Sequence, residues 1–218
     1  ALDNGLHAGD LKFVDLDGNN KIEQTTSAND RKDMKVIGNS LPRYNYNFGI
    51  SADWYGIDFS VLFQGIGKQN WYPGAETSMF WGPYSRPYAS FIPSDFMSQV
   101  WSEENTDAYF PRPRGYVALG SNRELAVVNT KYLQNLAYCR LKNLSIGYTL
   151  PDKWLSKIGF EKIRVYFSGE NLLTFTKLHS DYIDPEQASA SNSWKTSKSD
   201  ANIYPWAKTY SFGVTVGF

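Results

Sequence analysis

The sequence has 218 residues, and 22 lysines and arginines balance 22 aspartates and glutamates, so its formal charge is zero. A neutral chain without a basic run lacks the cationic footprint of nucleic-acid binders, so no nucleic-acid partner is expected. The single cysteine, Cys139, excludes an intrachain disulfide or cysteine-cluster metal site, and two histidines, His7 and His179, are too few for a His-rich zinc site. Mean hydropathy is −0.45, and no run of about 18 apolar residues exists, which excludes membrane-spanning helices. A membrane barrel stays open, because its strands alternate apolar and polar residues, and an aromatic share of 16% suits either barrel girdles or carbohydrate contact.

Residues 1–5 show no charged stretch followed by an apolar one, which leaves either a mature N-terminus or a start within a longer protein. The sequence reads as starting partway through a longer chain. The run Asp15-Leu-Asp-Gly-Asn-Asn-Lys-Ile-Glu23 has the opening of a calcium loop. Oxygen ligands at the first, third and fifth positions, a backbone carbonyl at the seventh and an acid at the ninth suit a hard cation. Asp15, Asp17, Asn19, Lys21 (through its carbonyl) and Glu23 fill those places. Asn20 stands where glycine is usual, and asparagine tolerates the left-handed region better than most residues. Thr26 stands where a bidentate acid is usual, and Asp30 follows closely enough to replace it. A solvated Asx-type turn without metal accounts for the same residues.

From Arg43 the pattern changes to strict alternation. Tyr44, Tyr46, Phe48, Ile50, Ala52 and Trp54 alternate with polar or small residues. After Tyr55-Gly56, Ile57, Phe59, Val61 and Phe63 do the same. This predicts two strands of about ten residues joined by a minimal turn, long enough to cross a bilayer when tilted. Leu144, Ile146, Tyr148 and Leu150 mark a third strand, and Ile163, Val165 and Phe167 a fourth that runs on to Phe175. Between them, 151–159 fits one helical turn stopped by Gly159. The sequence ends on Tyr210, Phe212, Val214, Val216 and Phe218, alternating with Ser211, Gly213, Thr215 and Gly217. A soluble sandwich strand could alternate in this way, but a terminal aromatic at the last apolar position fits the closing strand of a barrel.

The expected class is therefore all-β: an antiparallel transmembrane barrel represented by about five strands. The divisions are an external loop over 1–41, a hairpin over 42–67, an external loop over 68–137, a strand pair with a periplasmic turn over 138–175, an external loop over 176–206 and a closing strand over 207–218. Short periplasmic turns and long external loops are the rule in such barrels. The order of links agrees if the C-terminus is periplasmic. Five strands cannot close a barrel without leaving unpaired backbone in lipid, so the remainder is expected elsewhere in a longer protein.

Two groups in the loops invite functional readings. Trp71, Tyr72, Phe80, Trp81, Tyr84 and Tyr88 cluster in the second loop. Trp71, Tyr72, Trp81 and Tyr84 are the candidates for stacking on a sugar or other substrate, and mutual packing within an ordered loop is the alternative. Asp181, Asp184 and Glu186 could form a glycosidase pair, but acidic loop residues are more often solvated. Glu170 shares a face with Arg164 and suits a lumen cation better than chemistry. Trp54 and Tyr148, near strand ends, fit an interfacial girdle. No nucleophile motif, phosphate loop or dinucleotide fingerprint is present, so a non-enzyme is expected.

Several runs together resemble the SusC/RagA family of TonB-dependent transporters of Bacteroidetes. They are Val36-Ile-Gly-Asn-Ser-Leu-Pro-Arg-Tyr-Asn-Tyr46, Phe59-Ser-Val-Leu-Phe-Gln-Gly65, Tyr138-Cys-Arg-Leu-Lys-Asn-Leu-Ser-Ile-Gly-Tyr-Thr-Leu-Pro151, Arg164-Val-Tyr-Phe-Ser-Gly-Glu-Asn-Leu-Leu-Thr-Phe-Thr-Lys177 and Thr209-Tyr-Ser-Phe-Gly-Val-Thr-Val-Gly-Phe218. The resemblance implies the last five strands of a 22-stranded barrel in the outer membrane. It also implies a plug domain, a SusD-like lipoprotein on the outer face and energy from the TonB-ExbB-ExbD complex. Tyr210, Phe212, Val214, Val216 and Phe218 would be the signal read by the barrel-assembly machinery. The implied function is import of glycans or peptides, with no cofactor beyond the calcium that the Asp15 loop would hold. A soluble carbohydrate-binding β-sandwich and a glycan-cleaving enzyme are the competing readings.

Overall fold

A computed structural model describes residues 6–25, 27, 29–85, 92–120, 123–157, 159–191, 198–199 and 204–218. The strands among them are β1 (Arg43–Trp54), β2 (Ile57–Lys68), β3 (Asn70–Pro73), β4 (Gln134–Asn135), β5 (Tyr138–Thr149), β6 (Lys162–Thr176), β7 (Lys198–Ser199) and β8 (Thr209–Gly217). The short helices are α1 (Ser78–Trp81), α2 (Asp152–Leu155) and α3 (Pro185–Ser191). Five strands form one antiparallel sheet in the order β1-β2-β5-β6-β8, and the three short ones form a second sheet in the order β4-β3-β7.

The large sheet follows from the alternation. At the tight turn, Tyr55 has φ 46° and Gly56 φ 86°. Two left-handed residues in succession make the turn whose twist matches that of antiparallel strands, and the glycine adopts its half without steric cost. At the other short link, α2 supplies the expected helical turn and Gly159 has φ 75°; Ile158, which the sequence places on that turn, lies outside the described residues. β1, β2 and β5 each have 12 residues. Such a strand is roughly 40 Å long and, tilted by about 45°, rises roughly 28 Å, close to the depth of a bilayer's hydrocarbon core.

Register sorts the side chains into two faces. One apolar row runs Ala52, Phe59, Ile146, Phe167, Phe212, and the next runs Ile50, Val61, Leu144, Gly169, Tyr210. Between them, on the opposite face, lies a row of five serines in register, Ser51, Ser60, Ser145, Ser168 and Ser211, one from each strand. Cross-strand partners share a face, so the separation is complete across the sheet. Aromatic pairs reinforce the apolar side, with ring centroids 5.0 Å apart for Phe48–Phe63 and 5.1 Å for Phe167–Phe212.

Two irregularities interrupt the ladder. β5 carries an extra residue against β2 between Leu141 and Asn143, and β6 a further one against β5, near Asn171 with φ 53°. The bulge in β5 shifts its apolar positions from even numbers (Leu144, Ile146, Tyr148) to odd (Cys139, Leu141) while keeping them on one face.

The sheet is a single layer. Its apolar face is open over the outer strands, where Phe48, Ile50, Tyr210, Phe212 and Val214 are all exposed, Phe212 to 83%. The hydrophobic core lies instead in the long connections. Trp71, Tyr72, Phe80, Trp81, Tyr84, Phe110, Tyr132 and Leu136 pack together with Leu178 and Ile183. Described residues of the expected loops 68–137 and 176–206 thus pack into one unit with its own small sheet. The N-terminal segment joins it, because Asp10 accepts two hydrogen bonds from Arg112, at 2.9 and 3.0 Å.

Candidate functional site

At the turn end of the polar face, Asp58 and Arg164 form a two-bonded ion pair with Nε–Oδ2 at 2.8 Å. The Arg164 guanidinium also lies 4.8 Å from the Tyr166 ring. A Cβ at Gly147, on the strand between them, would overlap Asp58 Oδ2 and Arg164 Nη2, so a residue without a side chain leaves room for the bridge. Glu170, expected to meet a cation, forms no ion pair among the described residues.

At the opposite end, Arg140 on β5 is buried and gathers the returning loop. Its Nη2 is 2.6 Å from Asp184, its Nη1 2.7 Å from Glu186, and its Nε donates to Thr174 at 2.9 Å. Lys142 adds a second contact to Glu186 at 3.1 Å, and its ammonium lies 5.2 Å from the Trp206 ring. Two of the three acids considered for glycoside cleavage are therefore struts in a salt-bridge network that fastens the outer unit to the sheet. Both carboxylates are thus engaged by cations within the fold and do not face each other across an open cleft as a hydrolase pair would.

The four aromatic candidates for substrate contact require correction. Trp71, Tyr72, Trp81 and Tyr84 are 0–2% exposed. Trp81 packs on Tyr132 at 5.2 Å and on Phe80 at 4.8 Å, and its indole N–H donates to Pro73 O at 3.2 Å. Tyr72 donates to Leu125 O at 2.8 Å, and Tyr84 donates to Pro111 O. Burial pushes both phenols well above their ordinary pKa. Their faces are covered, so they hold the unit together and offer no stacking platform. Tyr88 lies outside the described residues.

The acidic loop folds tightly. Both Asp15 oxygens accept backbone N–H groups, from Gly18 and Asn20 at 2.7 Å, Asp17 accepts from Asn19 at 3.1 Å, and Asn19 Oδ1 accepts from Lys21 at 2.8 Å. Asn20 has φ 62°, the left-handed conformation its position calls for. Glu23 stays beside the loop, 3.4 Å from the Asn19 amide and 3.6 Å from Lys32. Asp30, expected to return as a ligand, pairs instead with Lys32 at 3.4 Å. Asp33 returns in its place. It accepts N–H groups from Leu16 and Glu23 at 2.7 Å, and these bonds, Glu23's first, hold its carboxyl below the usual range. Oxygens of Asp15, Asp17 and Asp33 lie within 4.8 Å of one another. Each retains acceptor capacity toward a cation, so the residues fit a hard metal ion.

Among the residues that sequence reading missed, Arg140 had a signal: Arg140 and Lys142 are the charged residues of a strand whose other members are apolar, small or neutral. Asp33 had none, because spacing alone could not tell it from Asp30. The Asp10 contacts were equally hidden. Burial works against the Asp10 charge, but the hydrogen bonds from Arg112 and the His7 N–H, together with the Arg112 and Arg114 charges, outweigh it and hold its pKa low, and Arg114 links Asp10 to the buried Glu124.

A one-layer antiparallel sheet, apolar on one face and polar on the other, paired on one side only at β1 and β8 and capped at one end by an ordered loop unit, is a section of an outer-membrane β-barrel wall. Its apolar face meets lipid and its serine face meets the lumen. Sequence comparison gives 31% identity over 212 residues to TonB-dependent receptor P3 of Formosa agariphila, covering 94% of this chain and 19% of that protein. TonB-dependent receptor P26 of the same organism is 25% identical over 96% of the chain. Among solved structures, the RagAB peptide importer in its closed-closed state superposes with a TM-score of 0.59 and 25% identity over 94% of the chain, and its open-open state with 0.57 and 23% over 90%. No protein-family model matches the sequence. Over nearly its whole length the chain is similar to TonB-dependent receptors and to the SusC/RagA-like RagAB importer, as one section of their barrels. It spans about a fifth of the length of these relatives.

Proposed function

We propose that the whole protein imports nutrient oligomers across the outer membrane, oligosaccharides or peptides, with a SusD-like lipoprotein on its outer face. TonB-ExbB-ExbD would supply energy through parts beyond this chain, and the barrel-assembly machinery would insert the barrel using the Tyr210–Phe218 strand. The observation that carries this is the pairing of a lipid-facing wall with an ordered external unit rooted in it through Arg140. A wall alone would serve any pore; a capping unit fixed to the rim suits capture before passage. Deleting the full-length gene should abolish growth on the cognate oligomer and leave growth on its monomer intact. Unchanged growth on a panel of glycans and peptides would defeat the proposal.

A second reading is carried by the convergence of Asp15, Asp17 and Asp33: these residues hold a calcium ion that ties the N-terminal segment into one loop. Calorimetric titration of the metal-stripped full-length protein should show heat with calcium and little with Asp33→Asn. No heat at millimolar calcium would end it.

A further inference from the structure

A cavity of about 890 Å³ opens in the external unit between the segment from Leu11 to Ile37 and the stretch from Leu119 to Lys131. That size falls in the range of small-ligand pockets, roughly 300–1,000 Å³. Phe13, Ile22 and Met34 form one wall and Val127 and Val128 the other, over a floor that includes Tyr72.

Two features of the lining indicate what would fit. First, the backbone of Lys12, Phe13 and Val14, and that of Lys35, Val36 and Ile37, makes no hydrogen bond to the described residues. Lys35 and Ile37 line the cavity while Val36, 83% exposed, does not, which is the alternation of an extended strand. These are open edges to which another extended chain can pair. Second, Lys12, Lys35 and Lys131 line the cavity, and none forms an ion pair among the described residues. The acids of the lining are committed elsewhere, Glu23 to Lys32 at 3.6 Å and Asp33 to two backbone N–H groups at 2.7 Å. An uncompensated cationic rim above apolar walls favours a ligand that brings carboxylates.

We propose that this cavity binds an extended acidic peptide, which adds as a strand to the backbone of the Leu11–Ile37 segment and sets its carboxylates against Lys12, Lys35 and Lys131. A glycan has no backbone ladder to offer these edges. The inference rests on the import reading in treating the peptide as cargo.

The test is an equilibrium titration of purified full-length transporter with a fluorescein-labelled octapeptide of alternating valine and glutamate. A valine–lysine octapeptide and maltoheptaose serve as competitors. The acidic peptide should bind and be displaced by neither competitor. Replacing all three lysines by glutamate should weaken binding by about tenfold or more at low salt, with the difference shrinking as salt rises. Phe13→Pro, which removes one backbone donor, should weaken it without altering salt dependence. The three lysines are surface residues, so the triple variant should keep the wild-type melting profile. Equal binding by that variant overturns the proposal, as does absence of binding by folded protein. If the triple variant instead loses only co-purification with the lipoprotein, the cavity is a subunit contact and the proposal fails. Peptide uptake by cells that is unaffected by the triple variant would overturn this site and leave the import reading intact.

Discussion

The assignment of faces can be tested on the closing strand with Val214→Arg. Val214 pairs with Val165 on the lipid side, in the row that begins at Trp54 and passes through Ile57 and Tyr148. The row crosses a tilted sheet, so its height changes along its length. On β1 it ends at the turn, whereas on β8 it lies four positions before Phe218. Four residues of tilted strand rise about 10 Å, which carries Val214 from the interface toward the midplane. An arginine there costs about 2–4 kcal/mol, and losing the valine pair adds about 0.2–1 kcal/mol. The folded population should fall by a factor of about 30 or more. Ser211→Arg is the matched control, because it points to the lumen opposite Ser168. Thr215→Arg also points inward but faces Arg164, and like charges directly opposite should cost it up to about 1 kcal/mol. Folding into lipid vesicles, followed by resistance to detergent-induced unfolding on gels, measures all three. Equal losses for Val214→Arg and Ser211→Arg would refute the assignment.

Trp81→Ala removes the centre of the external core and should cost that unit about 3–5 kcal/mol; hydrogen exchange should rise across 69–137 while the barrel strands stay protected. Gly147→Ala drives a methyl into the Asp58–Arg164 bridge and should destabilise the wall by about 1–3 kcal/mol, read as a lower unfolding midpoint, with Ser145→Ala as the silent control. His179 stacks on Tyr109 at 3.7 Å with Nε2 2.8 Å from Gln99 Oε1, and burial, opposed by Asp181, lowers its pKa. Its neutral form is the folded form, so its contribution is complete above about pH 6.5 and lost as pH falls through the lowered value. Exchange protection around Leu178 should weaken on acidification in wild type and not in His179→Phe.

The wall was legible because each strand announces itself by alternation over about ten residues, and the Tyr55-Gly56 turn fixes the register of the first pair. The outer half of β5 was not, since the bulge at Lys142 reverses the parity of the apolar residues and makes 138–142 look unlike the rest of its strand. The external unit was hidden for another reason. Its aromatics have no period, and whether a ring in a Gly- and Pro-rich loop is core or platform depends on partners far along the chain, such as Trp81 with Tyr132. The acidic loop was half visible: the Asx turns follow from local spacing, but the choice of Asp33 over Asp30 depends on how residues 24–32 fold back.

The outer unit draws its parts from three connections, and this bears on the order in which the protein acquires its shape. Asp10 reaches Arg112 across 102 positions, and Ser180 reaches the Met79 carbonyl across 101. The hairpins of the wall close locally, whereas these contacts form only once neighbouring strands have drawn their connections together. The cap therefore matures after the strands beneath it, and a protected Trp81 amide would serve as a clock for completion of this stretch of wall.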